Sequence, residues 1–192
     1  MTKEIDFYFD FISPYSYLAH KKIQSLPHNI KINYMPILLG GLQNLQGVVA
    51  PAFIKPKLKH MINDCYLIAK KNKFSFTWNT KFPLNSLYIM RGNFCVNSGI
   101  KDLYIDNMFN AYWKDNLDIS NEEILNSLLE KCKITKDKFY QGIKDQKIKD
   151  ILKNITKDAF DKEIFGAPTF VVNDKIFWGQ DRLEFALKES KK

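Results

Sequence analysis

The chain contains 192 residues, of which 45% are hydrophobic and 14% aromatic, so it can bury a sizeable core and extensive disorder is excluded. No apolar run approaches the roughly 20 residues of a membrane-spanning helix, which argues against a membrane protein. The net charge is +8, but only two of the 29 basic residues are arginine and no arginine-rich stripe with interleaved aromatic residues occurs, so nucleic-acid binding is not expected.

The N-terminal region predicts a β-α-β unit. Residues 3–11 alternate and then become wholly apolar, which is typical of a central strand. A helix is predicted over residues 14–26, because Ser13 suits the N-cap and Pro14 suits the first helical position. Residues 30–36 alternate again, and the short crossover implies that this second strand is parallel to the first.

Helical patterns dominate the middle of the chain. Helices are predicted over residues 54–71, 84–98, 101–113, 121–131 and 136–160, the last of them broken near Gly142. Ser120 and Glu123 fit a capping box, and Thr135 suits a second N-cap. The segments 37–53 and 73–83 are expected to be loops.

Strand patterns return near the C-terminus. Residues 169–172 and 175–178 predict a hairpin around the turn pair Asn173-Asp174. A closing helix is expected directly after Gly179, with Asp181 in its first turn. Its buried face is predicted to consist of Leu183, Phe185, Ala186 and Leu187. The two ends of the chain together predict an α/β fold with a four-stranded mixed sheet and a helical insertion.

The cysteine and histidine residues do not indicate a metal site. The three cysteines, Cys65, Cys95 and Cys132, lie far apart without a C-x-x-C pair, so reduced and mostly buried thiols are expected. His20, His28 and His60 lack the spacing of metal ligands. The N-terminus enters a strand pattern without the apolar segment of a secretory signal, which predicts a cytoplasmic location.

Two motifs at opposite ends of the chain resemble those of 2-hydroxychromene-2-carboxylate isomerases, which are close relatives of kappa-class glutathione transferases. The first is FDFISPYSYLA at residues 9–19, and the second combines FGAPTF at 165–170 with FWGQDRL at 177–183. The resemblance implies a thioredoxin-like domain formed by residues 1–38 and 163–192, with an all-helical insertion domain at 39–162. It further implies glutathione as cofactor and a homodimer.

The first motif departs from thiol oxidoreductases of the same fold. Where those proteins carry C-x-x-C, this chain reads Ser13-Pro14-Tyr15-Ser16, so disulfide exchange by its own residues is excluded there. The resemblance implies that Ser13 is catalytic and hydrogen-bonds the thiolate of bound glutathione. From the residues alone, Ser13 more often only caps its helix, and Ser16 is expected to hydrogen-bond the backbone.

The second motif implies further contacts to glutathione. The bond between Ala167 and Pro168 is expected to be cis, with the Ala167 backbone pairing the cysteinyl part like an added strand. Residues before the last helix are expected to hold the γ-glutamyl part, and these are Trp178, Gly179, Gln180, Asp181 and Arg182. Asp181 is equally compatible with a plain helix N-terminal acid, and Arg182 with an internal ion pair.

The substrate end of the site differs more from the family pattern. Gln43, Phe53, Lys57 and Asn85 are expected to contact the substrate, but Val48 stands where the family has asparagine. Gln43 and Phe53 occupy places where polar or basic residues would meet a substrate carboxylate. A more apolar pocket suits a different electrophile.

The resemblance therefore implies a glutathione-dependent cis-trans isomerase. It would act on 2-hydroxychromene-2-carboxylate or a similar aromatic enone acid by reversible thiolate addition and elimination. One alternative is a kappa-class-like transferase that conjugates glutathione to an electrophile. Another, from a different class, is a non-catalytic thioredoxin-like binding module.

Overall fold

The computed structural model describes residues 4–27 and 29–192, so the predictions for residue 3 and for His28 lie outside the described residues. The described strands are β1 (Ile5–Phe9), β2 (Ile32–Pro36), β3 (Thr169–Val172) and β4 (Lys175–Trp178). They form one sheet in the order β2-β1-β3-β4, in which only the β1–β2 pair is parallel. The predicted four-stranded mixed sheet is confirmed.

The described helices flank the sheet. They are α1 (Pro14–Ile23), α2 (Leu39–Gln46), α3 (Lys55–Asn72), α4 (Leu87–Gly92), α5 (Ser98–Trp113), α6 (Glu122–Lys131), α7 (Lys136–Lys144), α8 (Gln146–Asp161) and α9 (Leu183–Glu189), with a short 3-10 turn at Pro51–Phe53. Helices α2 to α8 connect β2 to β3. The helical insertion is thus confirmed, whereas its exact limits as a separate domain remain a prediction. Along residues 4–27 and 29–192, no helix combines the length and apolarity needed to cross a membrane.

Helix α2 was not predicted, because Gly40 and Gly41 disfavour a helix on local grounds. Its N-cap residue Leu38 offers no capping side chain. The carboxylate of Asp10, from the end of β1, instead accepts the backbone N–H of Leu39 at 2.8 Å. A tertiary contact therefore supplies the cap that the local sequence lacks.

Two of the predicted helix caps and one predicted helix break differ in detail from the structure. The capping side chain of α6 is Asn121, which accepts the N–H of Ile124 at 3.1 Å, and not Ser120. Thr135 occupies the N-cap position of α7 but makes no capping hydrogen bond. The long predicted helix breaks at Asp145 rather than Gly142, because the Asp145 carboxylate caps α8.

The last helix also differs from the prediction. It begins at Leu183, so Asp181 lies before the helix and not in its first turn. Gly179 has φ +112°, and the turn that follows joins the Arg182 N–H to the Gly179 carbonyl. Leu183 and Ala186 are buried as predicted, whereas Phe185 is 52% exposed.

The core runs from the sheet into the helical insertion. Phe7 and Phe9 of β1 stack with each other, and Phe9 packs against Phe109 of α5. The indole N–H of Trp113 donates to the carbonyl of Phe11 at 2.8 Å, just beyond the end of β1. This shared core fixes the position of the insertion over the end of the sheet where α1 begins.

Candidate active site

A large cleft lies between the end of the sheet and the helical insertion. Its volume is about 1060 Å³, at the upper end of the range for small-molecule sites. Its walls come from separate parts of the chain, namely residues 12–15, 38–41, 43–44, 48–53, 56–57, 60–61, 82–86, 165–167 and Trp178. Among the described residues that line it, Lys57 is the formally charged one, and most of the others are apolar.

Ser13 lies in the wall of this cleft at the start of α1. Its hydroxyl oxygen accepts the backbone N–H of Ser16 at 3.1 Å, which confirms the N-cap role. The same hydroxyl donates to the carbonyl oxygen of Ala167 at 3.0 Å. A serine hydroxyl carries a single proton, so donation to a bound thiolate competes with donation to Ala167.

Ser16 does not behave as predicted. Its backbone N–H contacts Ser13, but its own buried hydroxyl has no hydrogen-bond partner in the part of the chain that the structure describes. It also does not line the cleft. The neighbouring Tyr15 does line it, and its phenol donates to the carboxylate of Asp64 at 2.8 Å.

The Ala167-Pro168 segment lies next to Ser13 in the wall of the cleft. The peptide bond is cis, as predicted, and Phe82-Pro83 is a second cis bond in another wall. The carbonyl of Pro168 accepts the N–H of Gly179 at 2.9 Å, which ties this segment to the end of β4. Ala167 lines the cleft, whereas Pro168 is buried behind it.

The predicted γ-glutamyl residues divide into two groups. Trp178 lines the cleft, where its ring packs on Phe165 with 5.0 Å between centroids. The other four, Gly179, Gln180, Asp181 and Arg182, do not line it. The amine of Lys22 donates to the backbone carbonyl of Gln180 at 3.1 Å, and Asp181 pairs with Arg182 at 2.8 Å on the surface.

The four predicted substrate residues all line the cleft. Gln43 comes from α2, Phe53 from the 3-10 turn, Lys57 from the start of α3, and Asn85 from the loop before α4. Lys57 makes no ion pair with any described residue, so its ammonium group is available to an anion. Phe53 and its neighbours form an apolar rim, with 70% of the Phe53 surface exposed.

Sequence reasoning missed Asp10, which lies beneath the cleft. Its carboxylate is fully buried and accepts backbone N–H groups from Ile12 and Leu39 at 3.1 and 2.8 Å. Burial raises the pKa of Asp10 to about 6, against the hydrogen bonds that lower it. The available signal was an acidic residue between Phe9 and Phe11 at the end of an apolar strand.

Comparisons with known proteins agree along nearly the whole chain. The family model described as the DSBA-like thioredoxin domain matches residues 4–190. A 2-hydroxychromene-2-carboxylate isomerase of Sphingobium xenophagum is 29% identical over 96% of both chains. Glutathione S-transferase kappa 1 of Caenorhabditis elegans is 26% identical over 93% of this chain and 86% of its own.

The structural comparison gives the same result. A solved 2-hydroxychromene-2-carboxylate isomerase superposes with a TM-score of 0.89 at 25% identity, over 98% of this chain and 94% of its own. The predicted thioredoxin-like fold and the resemblance carried by the two end motifs are both confirmed.

Proposed function

The chain belongs to the DSBA-like thioredoxin domain family, and we propose that within it the protein is a glutathione-dependent cis-trans isomerase. Its substrate would be 2-hydroxychromene-2-carboxylate or a similar aromatic enone acid. The observation that carries this proposal is the hydrogen bond from the Ser13 hydroxyl to the Ala167 carbonyl, in the wall of a cleft whose described lining residues include no cysteine. The isomerases similar to this chain support the reaction class.

The residues present fit glutathione. The cleft is large enough for a tripeptide together with a second molecule. The Ala167 backbone offers an edge for an extended cysteinyl residue, and the Ser13 hydroxyl lies beside that edge. When bound there, glutathione would supply a thiolate that adds to the activated double bond and leaves again after rotation, so that none is consumed.

The chain's own part begins with a change of hydrogen-bond partner. An N–H group of a peptide paired with Ala167 would replace the Ser13 hydroxyl as donor to the Ala167 carbonyl. The Ser13 proton is then free to turn into the cleft, towards the negative charge of a thiolate. Hydrogen bonding to the charged form lowers a thiol pKa, so Ser13 would raise the ionised fraction at neutral pH.

The other lining residues would bind and orient the substrate. Lys57 would pair with the carboxylate and with negative charge that develops on the conjugated system. Gln43 and Asn85 would hydrogen-bond its oxygens, while Phe53 and Trp178 would cover its apolar face and exclude water. Gln180, Asp181 and Arg182 would contact the γ-glutamyl part from outside the cleft.

The direct test is a titration with reduced glutathione, followed by thermal unfolding and by calorimetry. Millimolar glutathione should raise Tm, because a ligand that binds only the folded state stabilises it. The absence of both a Tm shift and a heat of binding would contradict the proposal and favour a non-catalytic binding module. A spectroscopic assay with 2-hydroxychromene-2-carboxylate then tests the reaction itself.

A second candidate is conjugation of glutathione to an apolar electrophile, as the name of the kappa-class relative suggests. The exposed apolar rim around Val48, Val49 and Phe53 favours it, because these side chains offer nothing to a substrate carboxylate. Free thiol measured during turnover separates the two candidates. Conjugation consumes glutathione and isomerisation does not.

We also propose that the protein is cytoplasmic and forms a homodimer. The described cysteines, Cys65, Cys95 and Cys132, are all free thiols, which suits a reducing compartment. Light scattering on purified protein measures the dimer, and a monomer at micromolar concentration would contradict it.

A further inference from the structure

Asp10 lies at the point where β1 ends and the cleft begins. Its side chain is buried without a charged partner among residues 4–27 and 29–192, and burying a carboxylate is costly unless hydrogen bonds satisfy it. The hydrogen bonds come from the backbone of two separate segments. One oxygen accepts the N–H of Ile12 at 3.1 Å, and the other accepts the N–H of Leu39 at 2.8 Å.

Each of these two donors belongs to a different wall of the cleft. Ile12 directly precedes Ser13, whose own N–H donates to the backbone carbonyl of Asp10 at 3.0 Å. Leu39 is the first residue of α2, the helix that carries Gln43. One carboxylate therefore joins the turn that presents Ser13 to the helix that forms the opposite wall.

A third wall of the cleft, the segment 82–86, also reaches the carboxylate of Asp10. The side chain of Ser86 lies beside Asp10 and lowers the pKa of its carboxyl group, in the same direction as the two backbone donors. Ser86 is buried and ends the lining segment 82–86. Three segments that are distant in sequence thus converge on Asp10.

We propose that Asp10 is a positioning residue whose ionised carboxylate holds these three walls together, and that its protonation releases them and weakens ligand binding in the cleft. The proposal rests on the proposed glutathione site and adds control of that site by pH. Asp10 acts through Ser13, α2 and Ser86, and does not line the cleft itself.

The protonation step follows from the hydrogen bonds. Both carboxylate oxygens accept N–H groups, and protonation removes the negative charge that strengthens these hydrogen bonds, so the two donors are held more weakly. Burial raises the pKa of Asp10 to about 6, which places the change between neutral pH and pH 5. Tyr112 of α5 faces Asp10, but burial raises the pKa of its phenol, so it stays neutral in this range. The segments 12–15, 38–44 and 82–86 contribute no acidic or basic side chain.

One experiment follows the Leu39 amide by nitrogen-15 NMR in the ligand-free protein from pH 7.5 to pH 5. The chemical shift of this amide should change with a midpoint near pH 6 in wild type and should stay constant in Asp10→Asn. In Ser86→Ala, a milder variant, the midpoint should rise, because a donor that lowers the pKa is removed. A Leu39 amide that does not titrate in wild type would overturn the proposal.

A second experiment measures the affinity for S-methylglutathione by calorimetry. This probe has no ionisable thiol, so its pH dependence comes from the protein. Wild type should bind at least fivefold more weakly at pH 5 than at pH 7.5. Asp10→Asn should bind weakly at both pH values, with a ratio of the two affinities near one.

Asp6→Asn is the matched control, because Asp6 lies on the same strand and contacts Asn33 at 3.1 Å away from the cleft. It should keep the wild-type affinities. Equal pH dependence in wild type and Asp10→Asn would show that another group causes it and would overturn the proposal. If neither wild type nor any variant binds S-methylglutathione while the Leu39 amide titrates as expected, the proposed glutathione site is wrong. The link from Asp10 to α2 is then still supported.

Discussion

The hydroxyl of Ser13 donates its proton to the carbonyl of Ala167, at 3.0 Å and 154 residues away along the chain. This contact joins the start of α1 to the segment before β3, in the wall of the cleft. It also means that the proton needed by a bound thiolate is already engaged. Ligand binding must therefore rearrange this pair before Ser13 can act.

Replacing Ser13 with alanine should lower glutathione-dependent kcat/KM by about 100-fold, as loss of a preorganised donor to a developing anion does elsewhere. Loss of the α1 cap should lower the free energy of unfolding by about 1 kcal/mol. Initial rates and urea denaturation measure the two effects. Ser25→Ala is the control, because Ser25 is exposed at the other end of α1 and donates to the Lys21 carbonyl. A rate unaffected by Ser13→Ala would refute the catalytic assignment.

Replacing Phe53 with alanine should raise KM for an aromatic substrate several-fold, because an apolar surface of the rim is lost. Stability should change little, since Phe53 is 70% exposed. The control is Leu67→Ala on α3, which removes a side chain of similar exposure, 67%, outside the cleft. Steady-state kinetics should show an effect only for Phe53. Equal effects for both variants would place the substrate elsewhere.

Replacing Gly166 with alanine should displace the Trp178 ring, because a Cβ atom there would lie 2.6 Å from the indole nitrogen. The tryptophan fluorescence spectrum should shift, and glutathione affinity should fall several-fold. Gly99→Ala at the start of α5 meets nothing within 4 Å and serves as the control. If Gly166→Ala binds glutathione as well as wild type does, Trp178 has no part in the site.

Asp10 should make the fold less stable as pH rises from about 4 to 6. Its pKa is raised from 3.8 to about 6 in the folded protein, so the folded state binds more protons than the unfolded state in this window. The shift corresponds to about 3 kcal/mol lost between these pH values. Urea denaturation of wild type and Asp10→Asn at pH 4.5 and 7 measures it. The free energy of unfolding should fall more between pH 4.5 and pH 7 in wild type than in Asp10→Asn. Equal falls in the two proteins would contradict the assignment of this pH dependence to Asp10.

This effect on stability opposes the proposed effect on binding. The ionised carboxylate of Asp10 holds the walls of the cleft together, yet burial makes it less favourable in the folded protein than the protonated form. Wild type should therefore be more stable and bind more weakly at low pH. Such a conflict between stability and function is common at binding sites.

Local sequence patterns were sufficient for the two ends of the chain. The alternation in β2, the Ser13-Pro14 helix start and the Asn173-Asp174 turn each depend on neighbours within a few residues. Both turn residues adopt positive φ, at 52° and 58°, as a tight hairpin requires. These elements formed where they were predicted, within about two residues.

One error arose where a distant group decides the local structure, and another has a local cause. Helix α2 forms across Gly40 and Gly41 because the carboxylate of Asp10, directly after β1, caps its first turn. The final helix starts late because the turn at Gly179 comes first. The division into two domains at residues 38 and 162, and the roles of the individual site residues, remain predictions.

The sequence by itself determined the strands and helices at the two ends of the chain, the absence of a C-x-x-C pair and the place of Ser13 at a helix start, because these depend on residue type and short-range spacing. Only the tertiary structure decided that Ser13 donates to Ala167 and that Asp10 is buried beneath three walls of the cleft. A hydrogen bond between segments 154 residues apart, such as the one from Ser13 to Ala167, exists only after the core has packed, so no local pattern encodes it.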